Sequence, residues 1–194
     1  MTIKKILFMP LYLSLLLTPA AAQKAEIGLY AGQWQPHATE HQKTASLFSG
    51  SAHTTPYFSF SISESMTKTF FLKQTVGYWR QKKVSAKGID SVTLIPVTLS
   101  VKHRLVPDAF FMPCVTYGAG LVFGIPHSDA EFPETLSNVM GFDIFVGTGF
   151  DIALLKSLGF HVNFSYHYVK FPSPVGDTDD FTGPRGIFGF FLRF

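Results

Sequence analysis

The residues best suited to chemistry lie in the last third of the chain, where polar side chains recur at every second position. They are His161, Asn163, Ser165 and His167, preceded by Asp143 and Asp151. A serine, a histidine and a carboxylate in contact form the nucleophilic triad of many hydrolases. The same residue types inside a fold also satisfy one another's hydrogen bonds. Because apolar residues alternate with them, we expect an interior hydrogen-bonded network and no enzymatic activity, with hydrolysis as the alternative.

Two other groups have the residue types of cation sites. One is His37, His41 and His53, and the other is Asp177, Asp179 and Asp180. Neither stretch has the helical periodicity that aligns two imidazoles or the spacing of a calcium-binding EF-hand loop. We therefore expect solvated loops, and neither a metal nor another cofactor. The pairs Gly118/Gly120 and Gly147/Gly149 also lack the strand–turn–helix setting of a nucleotide-binding loop.

The composition excludes several classes of protein. The 194 residues are 46% hydrophobic, 15% aromatic and only 15% charged, with 21 phenylalanines. A disordered chain is rich in charge and poor in aromatics, and an ordinary soluble domain is about 25% charged. The formal net charge of +3 falls to +1 without Lys4 and Lys5, which is too little to attract a nucleic acid. The single cysteine, Cys114, excludes an intrachain disulfide.

The first residues have the order of a secretory signal peptide. Lys4 and Lys5 precede an apolar run over residues 6–17, and Ala20 and Ala22 frame a small-residue cleavage site. The apolar run is shorter than the roughly 20 residues that span a bilayer as a helix. We expect residues 1–22 to be a cleaved signal and residues 23–194 to form one domain.

The remainder alternates apolar and polar residues with a period of two, which predicts β-strands. Eight such segments can be counted, and no helical pattern follows them. The apolar face includes Phe58, Phe60, Ile62, Val97, Leu99, Phe142, Ile144, Val162, Phe164, Phe188 and Phe190. The other face carries small residues together with Lys73, Lys102, Asp143, Asp151, His161, Asn163, His167 and Arg193. The sequence predicts an all-β fold.

The connections between these segments alternate in length. Short turns are predicted at residues 64–68, 105–108 and 156–159, and long polar connections at residues 35–55, 81–89, 125–138 and 172–184. Strict alternation places every long connection at one end, as in a closed antiparallel up-and-down barrel of eight strands. Because a soluble barrel would need polar residues outside, we expect the apolar face to contact lipid. A two-sheet sandwich and an inverted, lipocalin-like carrier are the alternatives.

The last ten residues resemble the C-terminal signal of Gram-negative outer-membrane proteins. Gly189, Leu192 and Phe194 fit that pattern, whereas Ile187 stands where a polar residue is usual. Residues 94–102 and 113–121 are similar to strands of the eight-stranded outer-membrane family that includes OmpA-like and OmpX-like barrels. The resemblance implies that the barrel assembly machinery of the outer membrane recognises the last strand. Pro96 and Pro113 depart from this resemblance. Proline has no backbone N–H to donate, and a closed sheet has no free edge at which that loss is tolerated.

This resemblance implies an integral protein of the bacterial outer membrane with a structural or surface-interaction role. Its four longer loops would be extracellular, and an eight-stranded interior would be filled by side chains rather than form an open pore. We expect outer-membrane lipid and lipopolysaccharide as partners, and no nucleic acid. The sequence does not specify an oligomeric state. Arg80, Lys82, Lys83 and Lys87 are candidates to pair with lipopolysaccharide phosphates. Two alternatives are a narrow channel or small-solute carrier and, as in some members of this family, a lipid A-modifying enzyme.

Overall fold

The computed structural model describes residues 25–36, 56–85, 88–128, 138–176 and 178–194, with the backbone alone for residues 82–85, 88–90 and 128. The described residues form the strands β1 (Ala25–Trp34), β2 (Pro56–Ser65), β3 (Phe70–Ser85), β4 (Gly88–Arg104), β5 (Phe111–Ser128), β6 (Val139–Ala153), β7 (Leu158–Val175), β8 (Thr178–Asp180) and β9 (Gly183–Arg193). The expected signal peptide lies outside the described residues. Among the described residues, no helix is long and apolar enough to cross a membrane.

Eight of these strands close into a ring. Each of β1 to β6 pairs antiparallel with the next strand, β7 pairs with β9, and β9 pairs with β1. The short β8 pairs with the outer part of β7 and lies outside the ring. The eight-stranded antiparallel up-and-down barrel predicted from the alternation is confirmed. Closure pairs the backbone of the first strand with that of the last and leaves no sheet edge in the ring.

Alternation along each strand separates an inner from an outer face. In β2 the even positions Phe58 and Phe60 are exposed, whereas Ser59, Ser61 and Ser63 are buried. Successive side chains of a strand point to opposite faces of the sheet. The serines therefore line the interior, and the phenylalanines face outward.

The two ends of the barrel differ in length. Compact turns at residues 66–69, 105–110 and 154–157 close one end, which we name the short-turn end. At the opposite end β3 and β4 stay paired as far as Ser85 and Gly88, and β5 continues to Ser128. The loops expected at residues 81–89 and 125–138 are therefore partly strand. Antiparallel pairing needs only alternating backbone groups, so it continues where the apolar alternation stops.

The two prolines are accommodated in different ways. The β3–β4 ladder runs to the pair Val76 and Val97, and resumes at Trp79 and Leu94 with no change of register. The interruption coincides with Pro96, which has no N–H to donate. Pro113 lies one residue beyond the last β4–β5 pair, and its carbonyl accepts a hydrogen bond from the Leu105 N–H at 2.9 Å.

Residues 170–176 and 178–182, which we name the cap hairpin, fold over the open end of the barrel. Gly176 has a φ of +72° at its tip and faces Val92 of β4, which is separated from β7 in the ring by β5 and β6. The Val175 side chain occupies the space that a Cβ on Gly124 would need, at 2.7 Å. Phe171 does the same at Gly141. The glycines thus provide room for apolar side chains of the cap hairpin.

The interior is divided into two regions. Near the short-turn end it is polar and charged. Toward the cap hairpin it is an apolar cluster of Tyr30, Trp34, Tyr57, Trp79, Leu94, Val122, Val169, Phe171, Val175, Phe181 and Ile187. The alternation predicted an interior of small and charged residues. The outer half is aromatic because long strands extend above the polar layer and the cap hairpin adds its own apolar residues.

Candidate functional site

Four charged side chains meet near the short-turn end and form what we name the ionic cluster: Glu26, Lys102, Arg104 and Asp151. The Lys102 Nζ lies 2.9 Å from Glu26 Oε2 and 3.1 Å from Asp151 Oδ2. The Arg104 guanidinium donates to Glu26 Oε1 at 2.7 Å and also to Asp151. All four side chains are at most 3% exposed. Each cation therefore bridges the two carboxylates, and neither carboxylate is left uncompensated.

Neighbours extend this cluster to other strands. Arg193 Nε on β9 donates to Glu26 Oε1 at 3.1 Å, and His161 Nδ1 contacts Asp151 Oδ1. The Arg104 guanidinium carbon lies 4.2 Å above the Phe71 ring. Aromatic faces stabilise desolvated cations. The cluster joins β1, β4, β6, β7 and β9, so its contacts cross the whole interior.

A second polar group lies closer to the apolar cluster. His167 Nδ1 lies 2.9 Å from both Asp143 carboxylate oxygens, and His167 Nε2 lies 3.0 Å from Ser165 Oγ. Asp143 and His167 have no exposed surface, and Ser165 is buried. We name this group the serine–histidine–aspartate triad. An ionised carboxylate accepts only, so it favours the tautomer with the proton on Nδ1, and Nε2 then accepts from the serine hydroxyl.

Aromatic and cationic residues enclose the triad. The Phe145 ring stacks on His167 at 4.6 Å, and Trp34 lies 5.9 Å from the same imidazole. Arg185 is the register partner of Ser165 on β9, and its Nη1 donates to Tyr57 Oη at 3.0 Å. The buried Arg185 Nε has no hydrogen-bond partner among the described residues. Arg185 therefore carries an unpaired charged donor on the strand that pairs with the serine.

The remaining predicted interior residues are placed separately. Lys73 is buried, with its Nζ 4.3 Å from the centre of the Tyr30 ring. Asn163 is buried, and its Nδ2 lacks a partner within the part of the chain that is described. Arg193 is partly exposed at the barrel end and contacts Glu26. The structure thus brings Lys102, Asp151, His161 and Arg193 together, and Asp143 and His167 into the triad.

Metal-ligating groups approach one another at one interior point. Potential ligand atoms of Cys114, Asp151 and His161 lie within 4.8 Å of one another. The Asp151 oxygens already accept from Lys102, Arg104 and His161. A cation would have to displace these internal donors, so the donor set is better suited to the ion pairs it makes. His37, His41 and His53 lie outside the described residues.

The acidic connection near the end of the chain is also engaged internally. Asp180 Oδ2 lies 2.8 Å from Lys170 Nζ, and Asp180 Oδ1 accepts from the Thr182 N–H at 2.9 Å. Partial burial alone would raise the pKa of Asp180, but the Lys170 ammonium and the Thr182 donors lower this pKa to about 2. The pair ties the two arms of the cap hairpin together. Asp177 lies outside the described residues.

The outer wall carries a continuous set of apolar side chains. Of the predicted lipid-facing positions, eight are exposed: Phe58, Phe60, Leu99, Phe142, Ile144, Phe164, Phe188 and Phe190. The other three, Ile62, Val97 and Val162, are half-buried between neighbours. Tyr78, Tyr117, Tyr166 and Tyr168 are exposed on the same wall. The wall thus exposes large apolar side chains while Lys102, Arg104 and Asp151 are enclosed, the reverse of a soluble domain.

Sequence reasoning missed three charged residues of these groups. Glu26, Arg104 and Arg185 are buried and make central contacts. Their position in the alternation could have identified them. Glu26 alternates with the outward Ile27, Arg104 lies two residues from Lys102, and Arg185 shares the parity of Ile187 and Gly189. Strand parity alone would therefore have placed all three inside.

Several solved structures match this chain over its barrel, and three of them are compared with it as follows. Pseudomonas aeruginosa OprG matches with a TM-score of 0.60 and 13% identity, covering 88% of this chain and 95% of OprG. The N-terminal β-barrel domain of Pseudomonas aeruginosa OprF gives 0.54 and 10%, covering 88% and 97%. Neisserial surface protein A gives 0.54 and 12%, covering 88% and 94%.

The chain has the fold of the small outer-membrane β-barrels. Its likeness to OprG, to the OprF barrel domain and to Neisserial surface protein A extends over nearly the full length of each. No protein-family profile and no curated protein sequence matches the chain. At identities of 10–13% the likeness concerns the path of the backbone.

Proposed function

We propose that this protein is an integral β-barrel of a bacterial outer membrane with a structural or surface-interaction role. The observation that carries the proposal is the inverted arrangement of polarity around the ring. Large side chains such as Leu29 and Phe164 are exposed on the wall, while Lys102 and Asp151 are enclosed. Hydrocarbon around the wall removes the cost of that exposure, and ring closure satisfies the strand backbone there.

The proposed role does not include an open pore. The ionic cluster and the apolar cluster lie in succession along the interior, and side chains from opposite strands meet in both. Eight strands leave an interior just wide enough to be filled by side chains. Purified protein in planar bilayers is therefore expected to give no stepwise conductance. Clear single-channel steps would instead support the narrow channel or solute carrier.

The long connections are the proposed sites of surface contact. The short-turn end would face the periplasm, and the cap hairpin with the β3–β4 hairpin would project outward. Arg80 of β3 donates to Ser91 Oγ at 3.1 Å, and Lys82 and Lys83 follow on the same hairpin. Basic side chains at the level of the outer headgroups can pair with lipopolysaccharide phosphates. Replacing Arg80, Lys82 and Lys83 with glutamine should weaken binding of lipopolysaccharide but not of a neutral phospholipid.

Membrane insertion can be tested before any partner is known. Cell fractions are separated, and the protein is run in SDS with and without boiling. We expect it in the outer-membrane fraction, with a mobility that changes on boiling because the closed ring resists detergent. A soluble periplasmic protein without a mobility change would overturn the proposal, since the apolar wall would then have to be covered in water.

A further inference from the structure

We propose that Ser165 is a nucleophile activated by His167, and that the barrel encloses a site for hydrolysis of small carboxylic esters. This inference goes beyond the proposed role in the membrane. It rests on the connectivity of the triad, with Asp143 on Nδ1 and Ser165 on Nε2 of one imidazole. Nucleophile, base and orienting carboxylate follow one another in the order that general-base activation of a serine requires.

Strand geometry fixes the relative positions of these groups. Ser165 and His167 are two residues apart on β7, so both point inward, and Phe145 stacks on the imidazole at 4.6 Å. Asp143 comes from the neighbouring β6 and contacts Nδ1 with both oxygens. Because Asp143 acts through His167, it is a positioning residue, whereas Ser165 and His167 would touch the substrate.

The residue opposite the serine carries an unpaired charged donor. Arg185 and Ser165 are directly opposite in the β7–β9 register, and both side chains are buried. The Arg185 Nε has no partner among the described residues, although its Nη1 is bonded to Tyr57. A buried unpaired N–H of a guanidinium is costly unless an acceptor binds it. The negatively charged oxygen of a tetrahedral intermediate is such an acceptor.

The cap hairpin defines the route to this site. Phe181 packs on Trp79 at 6.2 Å, Trp79 packs on Trp34 at 5.7 Å, and Trp34 lies 5.9 Å from His167. These contacts form a continuous column of packed rings between the hairpin and the triad, so the hairpin closes the interior above the site. Lifting the hairpin would remove Phe181 first, so access is expected from the cap side and for small substrates.

The reaction balances without a cofactor. Ser165 Oγ attacks the ester carbonyl carbon, its proton moves to His167 Nε2, and Arg185 faces the resulting oxyanion. The acyl carbon–oxygen bond then breaks, and Nε2 returns the proton to the departing alcohol. Water hydrolyses the acyl-serine by the same steps and releases a carboxylic acid.

A small organic fluorophosphate tests the nucleophile directly. Diisopropyl fluorophosphate forms an oxygen–phosphorus bond with an activated serine, fluoride leaves, and the serine proton passes to the histidine. We expect one adduct, on Ser165, by intact mass and peptide mapping of the detergent-folded barrel. The Phe181→Ala variant should react faster with this reagent, because loss of the Phe181 ring opens the interior between the cap hairpin and the triad. Absence of the adduct from both the unaltered protein and Phe181→Ala, each with a normal mobility change on boiling, would overturn the proposal.

Matched variants separate activation from structure. Ser63 is buried on the inner face of β2, so Ser63→Ala is the control for Ser165→Ala. Ser165→Ala should remove the adduct, Ser63→Ala should keep it, and His167→Gln should slow labelling about 100-fold or more. Asp143→Asn should also slow labelling, and Asp143→Glu should restore part of the rate. Labelling of Ser165 at an unchanged rate in folded His167→Gln would refute activation by the histidine.

Discussion

Arg193, on the last strand of the ring, donates a hydrogen bond to Glu26, on the first strand, at 3.1 Å. The contact lies at the seam where β1 and β9 close the barrel, with Glu26 and Arg193 directly paired in register. Glu26 also accepts from Lys102 and Arg104 of β4, on another side of the ring. The ionic cluster therefore stabilises both the seam and the interior that the seam encloses.

Removing the Glu26 charge should destabilise the folded barrel. Glu26→Gln leaves Lys102 and Arg104 with the Asp151 carboxylate and removes the carboxylate that Arg193 contacts, and breaking a buried ion pair from one side costs about 3–5 kcal/mol. Urea unfolding in lipid or detergent measures the change. Glu64→Gln, on β2 opposite Ala25 and outside the ionic cluster, is the control and should change little. Equal stability of the two variants would contradict a supporting role for the cluster.

A charge on the wall should be costly where lipid surrounds it. Ile144 is exposed in the middle of the wall, and Ile144→Arg should lower the free energy of unfolding in a bilayer by about 2–4 kcal/mol. Ser157→Arg introduces the same side chain in an exposed short turn and should be nearly neutral. The comparison is made by reversible unfolding in liposomes. Similar costs at both positions would argue against lipid on the wall.

The end of β9 should govern assembly in cells. Phe194 is exposed, and its N–H donates to the Ala25 carbonyl at 2.9 Å, so its ring contributes little to packing. Deleting Phe194 should reduce the amount of barrel in the outer membrane, while refolding into liposomes without assembly machinery stays near normal. Normal assembly in cells would remove the proposed role of Phe194 as a signal.

A substitution at Gly189 should reduce assembly for a different reason. A Cβ there would lie 2.0 Å from the Leu29 carbonyl oxygen, which is backbone and cannot yield. Gly189→Asp should therefore impair refolding into liposomes as well as assembly in cells. Gly186, where an added Cβ would meet the Phe164 ring at 3.4 Å, is the matched control on the same strand. Gly186→Ala should refold, and equal refolding of Gly189→Asp would contradict the steric argument.

Acid should loosen the cap hairpin. Asp180 lies beyond Tyr168, the last tyrosine of the outer wall. Its pKa is lowered from 3.8 to about 2 in the folded state. A lowered folded pKa contributes stability above the unfolded value, and this contribution is lost as the pH falls from about 4 to about 2. Fluorescence of Trp79, which contacts Phe181 of the hairpin, should change in that range. Asp180→Asn should remove the change, and an unaltered titration would refute the assignment.

The sequence predicted which face each residue occupies more reliably than which residues meet. Parity alone placed Lys102, Asp151 and His161 on one face, because the period of a strand is two. The contact between Asp151 and His161 follows from the β6–β7 register, which the short turn between them nearly determines. The contact between Glu26 and Arg104, 78 residues apart, depends on the number and stagger of strands around a closed ring. That information is not local to either segment.

The cap hairpin shows a different limit of sequence reasoning. Residues 172–184 have the polar composition of a loop, yet Val175 and Phe181 are buried. Both share the odd parity of the inward residues of β7 and β9, but the polar residues between them interrupt the apolar alternation that would mark them as interior. Gly124 and Gly141, which make room for Val175 and Phe171, lie on other strands. Only the folded ring shows that these residues are complementary.

The same alternation that gives the wall two faces also affects how the chain could reach an outer membrane. Within β2, every phenylalanine of the wall is followed by a serine of the interior, so the average hydropathy of the unfolded strand stays modest. Insertion into the inner membrane selects long, uniformly apolar segments, which such a strand does not provide. The unfolded polypeptide can thus cross the inner membrane without being retained there. Its continuous apolar surface forms only when the ring closes in the outer membrane.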